Sequence, residues 1–197
     1  MTVLWIVVGL VVLLLLAAVA AYNGLVRRRN RTAEAWSQIE VELRRRHDLI
    51  PNLVQTVTGY ATHERATLDS VTRARANAVA AGQSGDQAAI ARSENALSAS
   101  LRSLFAVAES YPTLRAVESF TALQEQLTAT EDKLEYARRY YNTSARDYDT
   151  ALQTFPRTLI AGPFGFRPVD FFEVEAAAEE VPQVQFPGGS PQQRTLN

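Results

Sequence analysis

The chain has 197 residues and a formal net charge of −1 at pH 7, so its overall charge gives no reason to expect nucleic acid as a partner. It contains no cysteine, which excludes disulfide bonds, thiolate catalysis and Cys-ligated zinc. Apolar residues make up 47% of the chain, and residues 31–154 contain few glycines or prolines. This composition predicts an all-α protein.

The first predicted element is a membrane-spanning helix over Val3–Ala21, a run with no charged residue. A helix of this length is roughly 28 Å long, close to the hydrocarbon thickness of a bilayer. Trp5 and Tyr22 lie near its two ends, where amphipathic rings favour the membrane interface. A cleaved signal peptide is disfavoured because no Lys or Arg precedes the run. We therefore predict a transmembrane anchor over residues 1–26.

Arginines follow the apolar run, at Arg27, Arg28, Arg29 and Arg31. By the positive-inside rule they predict a single-pass protein of the cell membrane, with its N terminus outside and the rest in the cytoplasm. Translocation of the part that follows is the alternative. Arginines beside an anionic leaflet also bind lipid headgroups, so membrane lipid is a predicted partner. A nucleic-acid role is not predicted, because no aromatic residues are interleaved with the cluster.

Apolar residues then recur every seven positions along a first long helix. This line runs through Trp36, Leu43, Ile50, Val57, Glu64, Val71 and Ala78. It predicts a helix that buries one face as far as about residue 80. Because the line keeps its phase through Pro51, a kink is expected there, although a complete break stays open. Asp48 and Asn52 are candidates for bonding the backbone groups that the proline releases.

Two further helices are predicted after a turn at Ala81–Asp86, where Asp86 is placed as a helix N-cap. The second ends near Ser110, before Pro112. The third carries large apolar residues at seven-residue spacing, at Phe120, Leu127, Leu134, Tyr141, Tyr148 and Phe155. The predicted fold is therefore an antiparallel bundle of three to four long helices over residues 27–173, in which the third helix overhangs the shorter second.

Phenylalanines are concentrated in the segment after the third helix, at Phe155, Phe164, Phe166, Phe171 and Phe172. We expect them to pack across an open face of the bundle, and docking on a partner or on the membrane is the alternative. Residues 174–197 are rich in Pro, Gln and Gly and are predicted to be a disordered tail.

Charged residues interrupt the apolar lines at a common level. Counting outward from turns near residues 84 and 111 brings Arg75, Glu94 and Glu131 together. A partly buried Arg–Glu layer is expected there, because an unpaired buried charge is costly and a paired layer can fix the helix register. The alternative is that each side chain points into solvent.

The sequence predicts no catalytic residue, cofactor or metal site. Its two histidines, His47 and His63, would lie about 24 Å apart on a straight helix, too far to share a metal. His63-Glu64 begins like a zinc-protease motif, but Thr67 stands where the second histidine belongs. The protein is therefore predicted not to be an enzyme.

The leading functional interpretation is a membrane-tethered helical scaffold. It would contact lipid and an unidentified membrane or cytoplasmic protein, and the bundle faces also permit a homo-oligomer. The alternative is an enzyme or a small-ligand-binding protein with an inter-helix site near His47, His63 and Glu64. Convergence of those three side chains on one concave site would favour the alternative.

Two segments carry a family resemblance: "RRRHDLIPNLVQTVTGY" at 44–60, and "LEYARRYYNTSARDYDTALQTFP" at 134–156 with "FGFRPVDFFE" after it. With the residues around them, they make 22–173 similar to the LemA family of bacterial membrane proteins. The most specific matching positions are Arg45, Asp48, Leu49, Pro51, Asn52, Leu53, Val54, Gly59, Tyr60, Glu64, Arg139, Tyr141 and Asn142.

The resemblance implies a single-pass anchor followed by a bundle of long helices. It implies no reaction and no cofactor, and LemA-like relatives are associated with membrane organisation in magnetosome-forming bacteria. His47 departs from the family pattern, since a small residue is frequent at that position, and Thr143 and Ser144 replace more typical residues. The Pro/Gln-rich tail is not shared with the family.

Overall fold

The computed structural model of the protein describes residues 1–61 and 63–172. Those residues form helices and no strand, which confirms the predicted all-α class with an apolar N-terminal helix. The predicted tail, 174–197, lies outside the described residues. The helices are α1 (Thr2–Thr58), α2 (Arg65–Gly82), α3 (Gln87–Glu109), α4 (Pro112–Arg115), α5 (Glu118–Gln153) and α6 (Thr158–Ala161).

The anchor and the first bundle helix are one continuous element, α1, which is 57 residues long. The predicted domain boundary at residue 26 lies inside this helix. Side chains of the apolar run are exposed along its length, as at Leu13 and Leu16, both 63% exposed. Within the described residues, α1 is the helix long and apolar enough to cross a membrane. Such an exposed apolar surface is stable in a bilayer and not in water.

The predicted course of the first helix beyond Pro51 is wrong. α1 continues through Pro51 and ends at Thr58, and α2 begins only at Arg65. The interruption begins at Gly59, a residue type that destabilises a helix by about 1 kcal/mol relative to Ala.

The long helix α5 lies antiparallel to the part of α1 that follows the apolar run. Thr32 Oγ1 lies 3.2 Å from the carbonyl oxygen of Ser144, and Arg46 Nη2 lies 3.1 Å from Glu131 Oε2, so residue numbers rise along one helix as they fall along the other. The α2–α3 hairpin contributes residues to the cluster farthest from the span and to the middle cluster, whereas the membrane-proximal cluster contains none of its residues. The overhang predicted for the third helix is therefore the C-terminal end of α5, around Tyr148 and Leu152, which packs on the membrane-proximal part of α1.

The turns around the hairpin follow their predicted chemistry. Asp86 caps α3, and its Oδ1 accepts from the backbone N–H groups of Ala88 at 2.9 Å and Ala89 at 3.1 Å. α3 ends at Glu109, and Pro112 opens the single-turn helix α4. The predicted third helix is thus divided, because α4 and α5 are separate elements.

Three apolar clusters follow one another along α1. The cluster farthest from the span contains Ile50, Leu53, Val57, Leu97 and Leu104, and the middle one contains Ile39, Leu134, Tyr141 and Phe172. The membrane-proximal one contains Leu25, Tyr148, Leu152, Ala161 and Phe166. The phenylalanines after α5 therefore have different environments: Phe166 and Phe172 are buried in the bundle, whereas Phe155 and Phe164 are 74% and 62% exposed.

Candidate functional site

A fully buried carboxylate lies between α1 and α3. Glu94 is 0% exposed, and each of its oxygens has a basic partner on α1. Oε2 accepts from Arg46 Nη1 at 3.1 Å, and Oε1 lies 2.7 Å from His47 Nε2. Two neighbouring residues of one helix therefore hold one carboxylate, which offsets the cost of removing it from water.

Arg46 extends this contact to α5. Its Nη2 donates to Ser98 Oγ at 2.7 Å and lies 3.1 Å from Glu131 Oε2. The five residues Arg46, His47, Glu94, Ser98 and Glu131 are called here the buried polar layer. They join α1, α3 and α5 at one level, and Arg46, His47 and Glu94 are buried, whereas Ser98 and Glu131 are partly exposed. A paired layer of this kind opposes sliding of the helices, since a shift would leave charges buried without partners.

The cation predicted for this layer was Arg75, and the structure puts Arg46 in that role. Arg75 lies next to the layer, but its Nε donates to the backbone carbonyl of His47 at 2.7 Å. His47 is four residues before Pro51, so this carbonyl is the acceptor that the proline leaves without a helical N–H. Arg75 on α2 therefore donates to the His47 carbonyl that Pro51 leaves free, a role for which the sequence had suggested the side chains of Asp48 or Asn52. Both of those side chains are exposed.

A second buried arginine lies beside the layer on α5. Arg138 is largely buried, and its guanidinium carbon lies 4.7 Å from the ring centroid of Phe172. Its Nε and Nη2 have no hydrogen-bond partner among the residues that the structure describes. Burial lowers the pKa of Arg138, and the Glu131 carboxylate acts against that shift. The Phe172 ring thus makes a cation–π contact with the guanidinium of Arg138, which partly replaces the hydration that burial removes.

A groove of about 360 Å³ opens beside the layer and is lined by Trp36, His47, Arg75 and Glu94 among others. Neither His63 nor Glu64 lines it: His63 is exposed, and Glu64 accepts from the hydroxyl of Tyr111 at 3.2 Å. The three residues of the alternative interpretation therefore do not converge. Within 1–61 and 63–172, no group of three or more His, Asp or Glu residues is arranged to hold a metal.

The arginines after the apolar run lie on different faces of α1. Arg27, Arg29 and Arg31 are exposed, and Arg28 is half-buried. The Arg29 guanidinium lies 5.4 Å from the ring centroid of Phe166, so it contacts the segment that follows α5. The others leave their charge available near the end of the apolar run.

A model of the LemA family matches residues 35–186. The chain belongs to the LemA family. Curated relatives include magnetosome proteins MamQ 2 and MamQ 1 of Paramagnetospirillum magneticum, each 25% identical over an alignment of 181 residues, with 80% of this chain and 66% of the relative covered. MamQ of Magnetospirillum gryphiswaldense is 24% identical with the same coverage. The chain therefore spans just under two thirds of the length of these relatives.

Two positions of the LemA resemblance hold the segment after α5 against the bundle. Asn142 Nδ2 donates to the carbonyl of Phe172 at 3.1 Å, and its Oδ1 accepts from the Phe172 N–H at 2.9 Å. The Tyr141 hydroxyl lies 2.7 Å from the Asp170 carbonyl and 2.7 Å from Gln87 Oε1, and it donates its single proton to one of them at a time. The adjacent Tyr-Asn pair therefore places the Phe172 ring over Arg138.

Other LemA positions lie where α1 gives way to α2. Gly59 and Tyr60 follow the end of α1, and Glu64 occupies the N-cap position of α2. Glu64 lies on the apolar line that predicts a buried helix face, but it is only half-buried, and Tyr60 is 47% exposed. On α5, Arg139 makes an exposed pair with Glu135 at 3.1 Å. Gly59, Tyr60 and Glu64 therefore shape the α1–α2 corner, and neither they nor Arg139 line the groove beside the buried polar layer.

Replacing Asn142 by alanine is expected to loosen the segment after α5. Both hydrogen bonds to Phe172 are lost, which should lower the free energy of unfolding by about 1–3 kcal/mol. Hydrogen–deuterium exchange of the full chain in detergent should show faster exchange at residues 166–172. The exposed Asn52→Ala variant is the matched control, with an expected change within about 0.5 kcal/mol. Unchanged exchange in Asn142→Ala would contradict the assigned role.

The buried phenol of Tyr141 predicts a loss of stability in alkali. Burial raises the pKa of Tyr141, whereas an unfolded tyrosine ionises near pH 10. Its contribution is therefore complete below about pH 10 and declines as the pH rises towards the folded pKa, because the unfolded chain loses the proton first. Urea midpoints between pH 8 and 11 should fall less steeply in Tyr141→Phe. Tyr136→Phe, which changes an exposed phenol, should keep the wild-type slope.

Proposed function

We propose that this LemA-family protein is a non-enzymatic scaffold that holds a helical bundle at the membrane and acts through protein or lipid contacts. The observation that carries the proposal is the continuity of α1, from the exposed apolar run into the fully buried positions Ile39, Ile50 and Leu53. Because no hinge separates the spanning part of α1 from its bundle part, the position of the bundle relative to the bilayer is fixed by the helix itself.

The chemistry of the polar groups also supports a scaffold. Arg46, His47 and Glu94 bond one another, and Arg75 bonds a backbone carbonyl. Groups engaged in this way hold the helices in register and have little remaining capacity for a substrate. The ligand-binding or enzymatic alternative near His47, His63 and Glu64 has less support, since the groove beside His47 includes neither of the other two.

The curated relatives support the membrane part of the proposal. Their names describe magnetosome proteins. Because this chain spans just under two thirds of their length, a magnetosome role is not transferred to it. We propose only the shared membrane location, with the partner a membrane or cytoplasmic protein and a second copy of this chain as the other candidate.

Site-specific photocrosslinking in native membranes tests the protein contact. Val41 and Tyr136 are 62% and 65% exposed, and both line a groove of about 630 Å³ between α1 and α5. A benzophenone side chain at either position should give a discrete adduct above the mass of the chain, and an adduct of twice that mass would identify self-association. Gln153, which is exposed elsewhere on α5, is the control position. Absence of adducts at both groove positions would overturn the protein-contact part of the proposal.

The proposed orientation places the bundle in the cytoplasm, on the strength of Arg27, Arg28, Arg29 and Arg31. Protease added to intact cells should leave the bundle uncut and should cut it after permeabilisation. Cleavage in intact cells would overturn the orientation and would leave the scaffold proposal standing on the opposite face of the membrane.

A further inference from the structure

The segment just after α5 lies at the level where the apolar run of α1 ends. The Phe164 ring packs edge-on against Tyr22 at 5.2 Å between centroids, and Phe166 packs on the same ring at 5.5 Å. Arg157 lies within 3.5 Å of the place where a Cβ on Gly24 would be. Tyr22 and Gly24 come directly after the last residues of the span. The segment 155–166 is therefore held beside the point where α1 leaves the bilayer.

This segment presents one face to the bundle and another to the outside. Ala161 and Phe166 are buried in the membrane-proximal cluster. Phe155, Leu159 and Phe164 are 74%, 65% and 62% exposed. The turn between Phe164 and Phe166 uses Gly165 at φ 72°, a conformation that glycine adopts readily. This turn returns Phe166 to the core and leaves Phe164 at the surface.

The concentration of exposed apolar side chains here differs from the rest of the bundle. Among the described residues outside the span, most of the other large exposed hydrophobic residues are tyrosines, at Tyr60, Tyr136 and Tyr140, which carry a polar hydroxyl. Phe155, Leu159 and Phe164 have no polar group, and they lie within ten residues of one another. Exposed apolar side chains concentrated in this way are typical of a surface that contacts a partner or a membrane.

We infer that Phe155, Leu159 and Phe164 insert into the interfacial layer of the bilayer beside α1, as a second membrane contact of the bundle. The occupant is lipid, because the span that α1 supplies already places acyl chains next to this level. Exposed Arg27, Arg31 and Arg167 lie close to the segment in sequence or along α1. They match the anionic headgroups that border an interfacial apolar insertion.

The contact would restrict tilting of the bundle on its single helix. A single spanning helix can tilt in the bilayer and carry the bundle with it. A second contact at Phe164, beside the helix, opposes that tilt because tilting would pull its ring out of the lipid. The inference rests on the membrane anchoring in the proposed function, and its test measures that anchoring separately.

The test uses the absence of native cysteine from the chain. Single-cysteine variants of the full chain, Phe155→Cys, Leu159→Cys and Phe164→Cys, are labelled with a nitroxide and reconstituted in vesicles of phosphatidylethanolamine and phosphatidylglycerol. Power-saturation EPR then compares collisions with oxygen, which partitions into lipid, and with a water-soluble nickel chelate. Leu13→Cys in the span and Glu125→Cys at an exposed position of α5 are the deep and aqueous references.

Labels at 155, 159 and 164 are expected to collide more with oxygen than with nickel, at a depth of about 5–10 Å below the headgroups. The use of three positions keeps the test valid if one label perturbs the fold. Water-like accessibility at all three, with residue 13 deep in lipid, would overturn the inference and leave the anchor intact. Shielding from both reagents would show protein cover instead of lipid and would also overturn it. A water-like label at residue 13 would overturn the proposed anchoring itself.

Discussion

Glu94→Ala is expected to destabilise the bundle by about 3–5 kcal/mol, because Arg46 and His47 would keep buried polar groups without their shared acceptor. For a chain of this size, that loss corresponds to a fall in melting temperature of roughly 6–20 °C. Thermal unfolding of the full chain in detergent, followed by far-UV circular dichroism, measures the change. Glu131 is 44% exposed and cannot replace Glu94, since it reaches only the other nitrogen of Arg46.

The matched control is Glu135→Ala, which removes an exposed carboxylate that pairs with Arg139 at 3.1 Å. Exposed pairs of this spacing contribute less than about 1 kcal/mol. A double variant, Arg46→Met with Glu94→Leu, should lose less stability than the two single variants added together, because it removes both charges at once. A Glu94→Ala effect no larger than the control would show that the buried polar layer does not stabilise the fold.

Arg75→Ala is expected to lower the free energy of unfolding by about 1.5–3 kcal/mol, the range for a hydrogen bond to a charged group. Its Nε donates at 2.7 Å to the His47 carbonyl, which lacks a helical donor because residue 51 is proline. In a Pro51→Ala background, the new N–H at residue 51 can bond that carbonyl. The effect of Arg75→Ala should therefore shrink, with a coupling of about 0.5–3 kcal/mol in a double-mutant cycle measured by urea unfolding.

Arg73→Ala is the control for this cycle, because Arg73 is an exposed arginine two residues away on α2. Its effect should be within about 0.5 kcal/mol and should be the same with proline or alanine at residue 51. Additive effects of Arg75→Ala and Pro51→Ala would show that the carbonyl released by the proline does not need Arg75.

The example of Pro51 shows where inference from sequence was limited. Both Pro51 and Gly59 are helix breakers, and the apolar line continues past both. Periodicity alone gave no means of deciding which one interrupts the helix. The contact that lets Pro51 remain inside α1 comes from Arg75, 24 residues further along the chain. A donor supplied by another helix is visible only when the helices are packed.

Arg46 illustrates the same limit for the candidate site. Its place on an apolar line, between Ile39 and Leu53, was a signal that it is buried. Counting outward from the turns places Glu94 and Glu131 at one level and gives Arg75 as their cation, whereas Arg46 contacts both carboxylates in the structure. Side chains at different positions of a helix point in different directions. Which of the two arginines faces Glu94 and Glu131 therefore depends on how α1 and α2 are rotated about their own axes. That rotation is set by the packing of many side chains and not by the spacing in one helix.

The sequence by itself determined the all-α class, the apolar span and the Asp86 cap, because each depends on residues within a few turns of one another. The tertiary structure decided which charges meet in the buried polar layer, how α5 uses its extra length, and which phenylalanines remain exposed beside the span. These outcomes depend on groups distant in sequence competing for the same buried volume, and only the packed helices bring those groups together.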